Sequence, residues 1–467
     1  MVDSPIDPRR HAPTALFSYI APIVRHAGRF TVFLLLAPIV GPRGYGLFVL
    51  ALSVIAIVEA ALVETATAAL ANMAQVEERH WSTAFLTLIA VGTALSLAFF
   101  ALSDALGDMT GEAGLDDMYW SLAVLPLLGA LTVVPVAALC RDGRGRSIIA
   151  ANAAGITAGA GIALALAWGG AGPWSLVAQI VVQRLVECTV LWGMPGERIG
   201  LVWSRRHFAN LVEAVDRRAR ATAWPRVSRY ASCLVIGLTL GPTAAGLIML
   251  ASRLAEAVTD IFLIGGMRRD PVSTAQRACA ALLPAILASA LAPMAMLPLL
   301  DLRWWGAVPP AQVLLLGVVP ASLIFMRSFC AKPSGEPHWQ AAQALGGIAV
   351  AAFAAPYGLE VFATTSVIWT LVIALASLRP IYRGLGAEWQ TTLAMAIRPC
   401  AGAAAAGGIA FALAGPVASV LDPVPGLCLL TAAGWLAYLV IRGEAAREQQ
   451  ASFTAEIAVA APHKPSS

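Results

Sequence analysis

The chain has 467 residues and a formal charge of +4; 59% of the residues are hydrophobic and 12% charged. Soluble domains run at roughly 45–50% apolar and 25% charged, so a soluble enzyme or a nucleic-acid-binding module is excluded. The apolar residues fall in runs of about 18 or more, enough to cross a bilayer core of about 30 Å as helices, which makes this an all-α polytopic membrane protein.

The opening MVDSPIDPRRHAPTALF leads into a long apolar stretch with internal arginines and no small-residue cleavage site, so it is expected to be retained rather than cleaved. Six spans are expected at about 16–40, 44–72, 83–106, 118–140, 147–169 and 172–193. Six more follow at about 222–240, 246–266, 278–300, 311–331, 339–356 and 359–378, then two at about 388–414 and 425–441. The resulting domains are a bundle over 1–193, a linker over 194–221, a second bundle over 222–380, two extra helices over 381–445 and a disordered polar tail over 446–467. Within the linker, RRHFANLVEAVDRR puts Phe208, Leu211, Val212 and Val215 on one helical face. That spacing predicts an amphipathic helix lying on an anionic leaflet, with a plain solvated linker as the alternative.

Most of the 31 basic residues fall in alternate connections, including Arg144, Arg217 and the polar tail, while Arg43, Arg303 and the acidic loop from Asp108 to Asp117 fall in the others. Basic residues stay on the cytoplasmic side, so both termini are expected there. The seven cysteines lie in or beside apolar spans with no CxxC pair and read as free thiols. No metal-ligand or cofactor motif is present; five of the six histidines lie in polar segments and only His26 in a span.

Residues 29–51 and 229–251 align without a gap at an offset of 200: Arg29 on Arg229, Gly41-Pro42 on Gly241-Pro242, Gly46-Leu47 on Gly246-Leu247. A period this long means that a whole half was built once and reused. Both copies begin on the same side, so the expected fold is about 14 transmembrane helices in two parallel-repeat six-helix bundles, with two C-terminal helices appended.

Charge inside the spans marks the candidate site. Each intramembrane charge costs about 2.5–3.5 kcal/mol or more at the bilayer centre unless paired or hydrated. Arg25 and Arg29 lie one turn apart on the first helix, Glu59 and Glu64 on the second, and Arg184 with Glu187 on the sixth. Arg226 and Arg229 lie on the seventh, Arg253, Glu256 and Asp260 share a face of the eighth, and Arg327 and Arg398 lie on later helices. Arg184–Glu187 and Arg253–Glu256 fit intrahelical pairs. Arg25, Arg29 and Arg229 have no carboxylate on their own helix and are expected to face a water-filled cavity shared by the bundles, where guanidinium groups grip a diphosphate. Arg226, Arg253 and Arg327 complete the substrate-binding set, and Glu59, Glu64 and Asp260 are candidates for ion coupling.

The run RHAGRFTVFLLLAPIVGPRGYGLFVLALSVIAIVEAALVE resembles the opening of polysaccharide-lipid flippases, the Wzx-type members of the MOP superfamily. So do ERHWSTAF, VPVAALCRDGRGRSIIAANAAGITAG and GAGPWSLVAQIVVQRLVECTVLW; the likeness is close through the first half and looser to about residue 440. The resemblance implies a V-shaped, two-lobed, non-enzymatic transporter of the bacterial cytoplasmic membrane. It would carry undecaprenyl-diphosphate-linked oligosaccharide across by alternating access, with anionic lipids around it and a polysaccharide polymerase and chain-length regulator as partners. By the same resemblance Arg25 and Arg29 occupy the place of the family's first-helix arginines. A multidrug extruder of the same superfamily, or a membrane-embedded enzyme of envelope glycan assembly, is the alternative. The first wants carboxylates and aromatics in its cavity. The second wants a large outer loop, and the outer connections here are short.

Overall fold

In the computed structural model the described residues are 14–73, 75–112, 114–194, 200–264, 300–318 and 336–385, with single positions at 291, 320, 321, 324 and 327. Side chains are described from residue 31 onward, and not for 216–222, 257–264, 336–338 or 379–385. The expected last two spans and the tail lie outside the described residues. So do the side chains of Arg25, Arg29 and Asp260, and the whole of Arg398.

The chain is helical throughout the described residues. The first half comprises α1 (Thr14–Glu59), a π-helical segment (Ala60–Glu64), α2 (Thr65–Asn72), α3 (Glu78–Ala101) and the short α4 (Ser103–Thr110) and α5 (Leu115–Leu122). It ends with α6 (Leu125–Arg141), α7 (Gly145–Trp168) and α8 (Trp174–Trp192). The linker helix α9 (Arg205–Thr222) follows, then α10 (Trp224–Leu240), α11 (Pro242–Ile264) and a 3-10 turn (Leu302–Ala307). α12 (Val308–Leu316), α13 (Glu336–Ala354) and α14 (Leu359–Leu385) come last. Six stretches among the described residues are long and apolar enough to span a bilayer, five of them in the first half.

The repeated Gly-Pro turns sit where the halves meet. Gly41 has φ 72° and ψ 168°, and Gly241 has φ 87° and ψ 171°. That region is open essentially to glycine alone, and the proline after it starts the next helix with its φ already set. The two turns lie against each other: a Cβ on Gly46 would overlap the Pro242 carbonyl, and one on Gly246 would overlap the Pro42 carbonyl. This reciprocal contact is what a twofold relation between the copies requires, so both turns are on one face of the molecule. Small residues at the crossing let the backbones approach, as in membrane helix pairs generally.

The same end is closed by the second half reaching over α1. Pro42 has no N–H to donate to Pro38 O, and Arg303 supplies it instead through Nη2 at 2.7 Å. Trp304 donates from Nε1 to Ala37 O at 2.9 Å. Its ring lies 5.7 Å from both Phe33 and Tyr45, which are 4.5 Å from each other. All three are buried in one core that also takes in α10 and α11. Asp301 accepts from Arg303 Nε at 2.6 Å, which holds its carboxyl below the usual carboxylate range.

The linker helix departs from its expected place. Leu211 is buried in the core of the first half beside Trp81 and Leu70, so the apolar face of α9 covers protein rather than lying wholly on a leaflet. Val212 of that face remains exposed, as do Leu201, Val202 and Trp203 ahead of the helix.

Candidate functional site

A cavity of about 800 Å³ lies at the opposite end from the Gly-Pro turns. It runs from the helix ends at Asn72, Cys140 and Gly145 inward to Glu64, Arg184 and Glu187. All of its described lining comes from the first half except Arg226 of α10.

Two local features aim the charges into it. The π segment is bonded i→i+5 and so wound more widely than an α-helix, which brings Glu59 before it and Glu64 at its end closer to one face than α geometry would. π segments recur at functional sites. On α7, Gly155 and Gly159 meet the backbone of Gln183 and Gln179, which seats α8 tightly against α7 and brings Asn152 to Glu187. Gly129 of α6 leaves the space taken by the Glu59 carboxylate; a Cβ there would stand 2.8 Å from Oε1.

Four arginines of the spans meet carboxylates among the described residues. Arg184 reaches Glu59 at 2.8 Å and Glu187 at 3.6 Å, and Asn152 donates to Glu187 at 3.3 Å. Arg226 pairs with Glu64 across the seam between halves. Arg229 pairs with Glu256 at 2.6 Å, and Arg253 reaches the same carboxylate at 3.7 Å. Four arginines therefore meet four glutamates.

Two sequence readings change. Arg184 was expected to pair chiefly along its own helix with Glu187, but Glu59 is nearer. Arg229, read as having no carboxylate on its own helix and as facing the shared cavity, meets Glu256 of the neighbouring helix α11. A search at i±3 and i±4 sees only one helix and misses both. Of the proposed substrate-binding set, Arg226 lines the cavity, Arg229 and Arg253 share Glu256 beyond it, and Arg327 stacks over Trp339 at 4.0 Å. Arg25 and Arg29 lie on α1, outside the described side chains. Among the ion-coupling candidates Glu59 and Glu64 join the paired network.

One cluster was missed altogether. Glu77, His80 and His207 come together at the joint between α3 and α9, with one ligand atom from each within 4.8 Å of the others. The histidines are 127 positions apart in the chain, too far for spacing to show it.

A family model described as "Polysaccharide biosynthesis protein" matches residues 35–263. No curated protein matches the chain. Among solved structures, lipid II flippase MurJ in an inward closed conformation superposes with a TM-score of 0.71 at 10% identity, covering 94% of this chain and 99% of that one. An inward-facing multidrug resistance MATE family transporter of the MOP superfamily gives 0.52 at 13% identity, over 82% and 98%. A MOP superfamily transporter from Pyrococcus furiosus gives 0.53 at 14%, over 82% and 96%. The chain is thus a multi-pass membrane protein with the fold of the MOP-superfamily transporters, and over residues 35–263 it carries the sequence pattern of the polysaccharide biosynthesis protein family.

Proposed function

We propose that this protein is a flippase that moves a polyprenyl-diphosphate-linked oligosaccharide, of the undecaprenyl class, across the bacterial cytoplasmic membrane. The observation that carries the reading is the cavity closed at the Gly-Pro end and lined by arginine at its inner end. Arg226 comes from one half and Arg184 from the other, so a ligand held there touches both lobes. A diphosphate takes guanidinium groups in bidentate, charge-assisted hydrogen bonds and competes with Glu64 for Arg226. Arg25 and Arg29 add two cations to the paired set. The glycan then fills the polar cavity while the polyprenyl tail stays in lipid.

The relatives support this reading: one is named a lipid II flippase, and the family is described by polysaccharide biosynthesis. The folds it resembles are transporters, and the protein acts without catalysis or a cofactor. Both termini are placed in the cytoplasm by the basic connections, so the cavity opens inward. A polymerase and chain-length regulator receive the product on the far side. Coupling runs through Glu59, Glu64 or Asp260, or through the membrane potential acting on the arginines. A multidrug extruder shares the fold, but intramembrane arginines repel organic cations.

The test is leaflet-resolved detection of the lipid-linked glycan in cells depleted of the protein. Accumulation in the inner leaflet supports the proposal. Normal surface glycan after depletion, together with drug sensitivity, would support the extruder.

A further inference from the structure

We infer that Glu77, His80 and His207 form a binding site for a zinc-class divalent cation, and that the ion pins the linker helix α9 to the first half. This inference stands apart from the flippase reading.

The site lies at a joint between the two halves. α9 packs on α2 and α3 of the first half and on α13 of the second. Its start is already tied to α3: the Ser204 amide donates to Thr83 Oγ1 at 3.2 Å, and Trp203 Nε1 donates to Thr87 Oγ1 at 3.4 Å. At that point the His80 and His207 rings meet edge-on with centroids 4.3 Å apart, and both residues are buried, at 5% and 8% exposure.

The donor set suits a borderline-soft ion. Two imidazoles and one carboxylate select zinc-like metals over magnesium or calcium, which want oxygen alone. Zinc holds nitrogen and oxygen at about 2.0–2.2 Å in a tetrahedron, so its ligand atoms stand about 3.3–3.5 Å apart. His207 Nε2 and Glu77 Oε2 are already 3.2 Å apart. The remaining ligand atoms lie within 4.8 Å of one another, so the set closes on an ion by shifts of about 1.5 Å or less, in which the 70% exposed Glu77 side chain gives up its capping bond to the His80 amide.

The partners beyond the ligands fit as well. His207 Nδ1 lies 2.7 Å from Ser204 Oγ. When that nitrogen carries the proton, its Nε2 lone pair faces Glu77, and only a cation or a second proton can sit between them. A hydrogen bond of this kind to the outer nitrogen is the usual support of a metal-bound histidine. His80 Nδ1 takes the Glu77 amide at 3.1 Å, and its buried Nε2 has no hydrogen-bond partner among the described residues. Binding through the Nδ1 lone pair releases the amide of exposed Glu77 to water and sacrifices no contact at Nε2. Three protein ligands leave a fourth position for water at the exposed rim.

The experiment uses the full-length protein in detergent with any affinity tag removed. Zinc is titrated by equilibrium dialysis, and cobalt is added separately as a spectroscopic probe of tetrahedral geometry. One ion per chain is expected, with the intense visible bands of tetrahedral cobalt. Glu77→Gln and His207→Ala should weaken binding about 100-fold or more, and Ser204→Ala about tenfold. Zinc should raise the melting temperature of the wild type and leave that of Glu77→Gln unchanged. Because Glu77 is exposed, its variant decides the matter if the histidine variants fail to fold. A wild type that takes up no stoichiometric zinc, or a Glu77→Gln protein that binds it as tightly as the wild type, overturns the inference in favour of a plain hydrogen-bonded latch.

Discussion

Glu64 and Arg226 sit on different halves, so their ion pair lasts only while the halves are close at this end. Replacing either partner leaves the other charge uncompensated beside the cavity, whereas exchanging them restores the pair with its sign reversed. Glu64→Gln and Arg226→Gln are each expected to slow transport about tenfold or more, a loss of the size that charge-assisted contacts of about 1.5–3 kcal/mol carry. If Glu64 serves only the pair, the Glu64→Arg, Arg226→Glu double variant should recover part of the loss. If Arg226 also grips the diphosphate, the double variant should stay slow while regaining thermal stability, and the two readouts together separate gate from ligand. Arg25 and Arg29, which the sequence resemblance places at the substrate, should each lose about tenfold in transport on change to alanine. Lysine should rescue them only in part, because it keeps the charge and loses the bidentate fork. Full glycan export by well-expressed Arg25→Ala and Arg29→Ala proteins would show those positions to be structural.

Two elements shape the site more than any single residue does. The π segment at Ala60–Glu64 puts Glu59 and Glu64 close to one face, so deleting one residue within it, such as Ala61, should return the helix to α register. Glu64 then turns away from Arg226, and transport is expected to fall as far as in Glu64→Gln without any charge being removed. Unchanged transport in the deletion would remove the segment from the account. At the other end, Gly46 and Gly246 permit the backbone contact between the repeated turns. Gly46→Ala and Gly246→Ala must push the halves apart there, and each should raise labelling of cysteines placed in the first turn after Pro42 or Pro242. The glycine pattern and its 200-residue offset were legible in the sequence, because a backbone requirement leaves a residue type behind. The π segment was not, since nothing in AALVE distinguishes it from α-helix until the neighbouring Arg184 and Arg226 draw the glutamates to one side.

For the molecule as a whole, composition was enough to read a helical, membrane-spanning fold, and the structural matches agree with it. What the sequence hid was every contact between distant helices. Arg229 finds Glu256, Arg184 finds Glu59, and Trp304 caps α1 across more than 260 positions, none of which helical spacing can foresee. The linker helix was legible as amphipathic, but its apolar face was read for lipid when it covers Trp81 and Leu70. The proposed sidedness rests on the arginines, and it predicts that labelling at Asp116 reports the periplasm and labelling at Arg144 and Arg217 the cytoplasm. Truncating Trp304 to alanine should cost about 3–5 kcal/mol, since it empties the closed end of the core that both halves share. The most direct test of the central claim is transport by the purified protein in proteoliposomes loaded with a labelled polyprenyl-diphosphate oligosaccharide, read by an impermeant probe of the outer leaflet. The account predicts protein-dependent flipping that Arg226→Gln slows about tenfold or more and that free oligosaccharide without the diphosphate does not inhibit. Flipping no faster than in empty liposomes, with an organic cation transported instead, would contradict it.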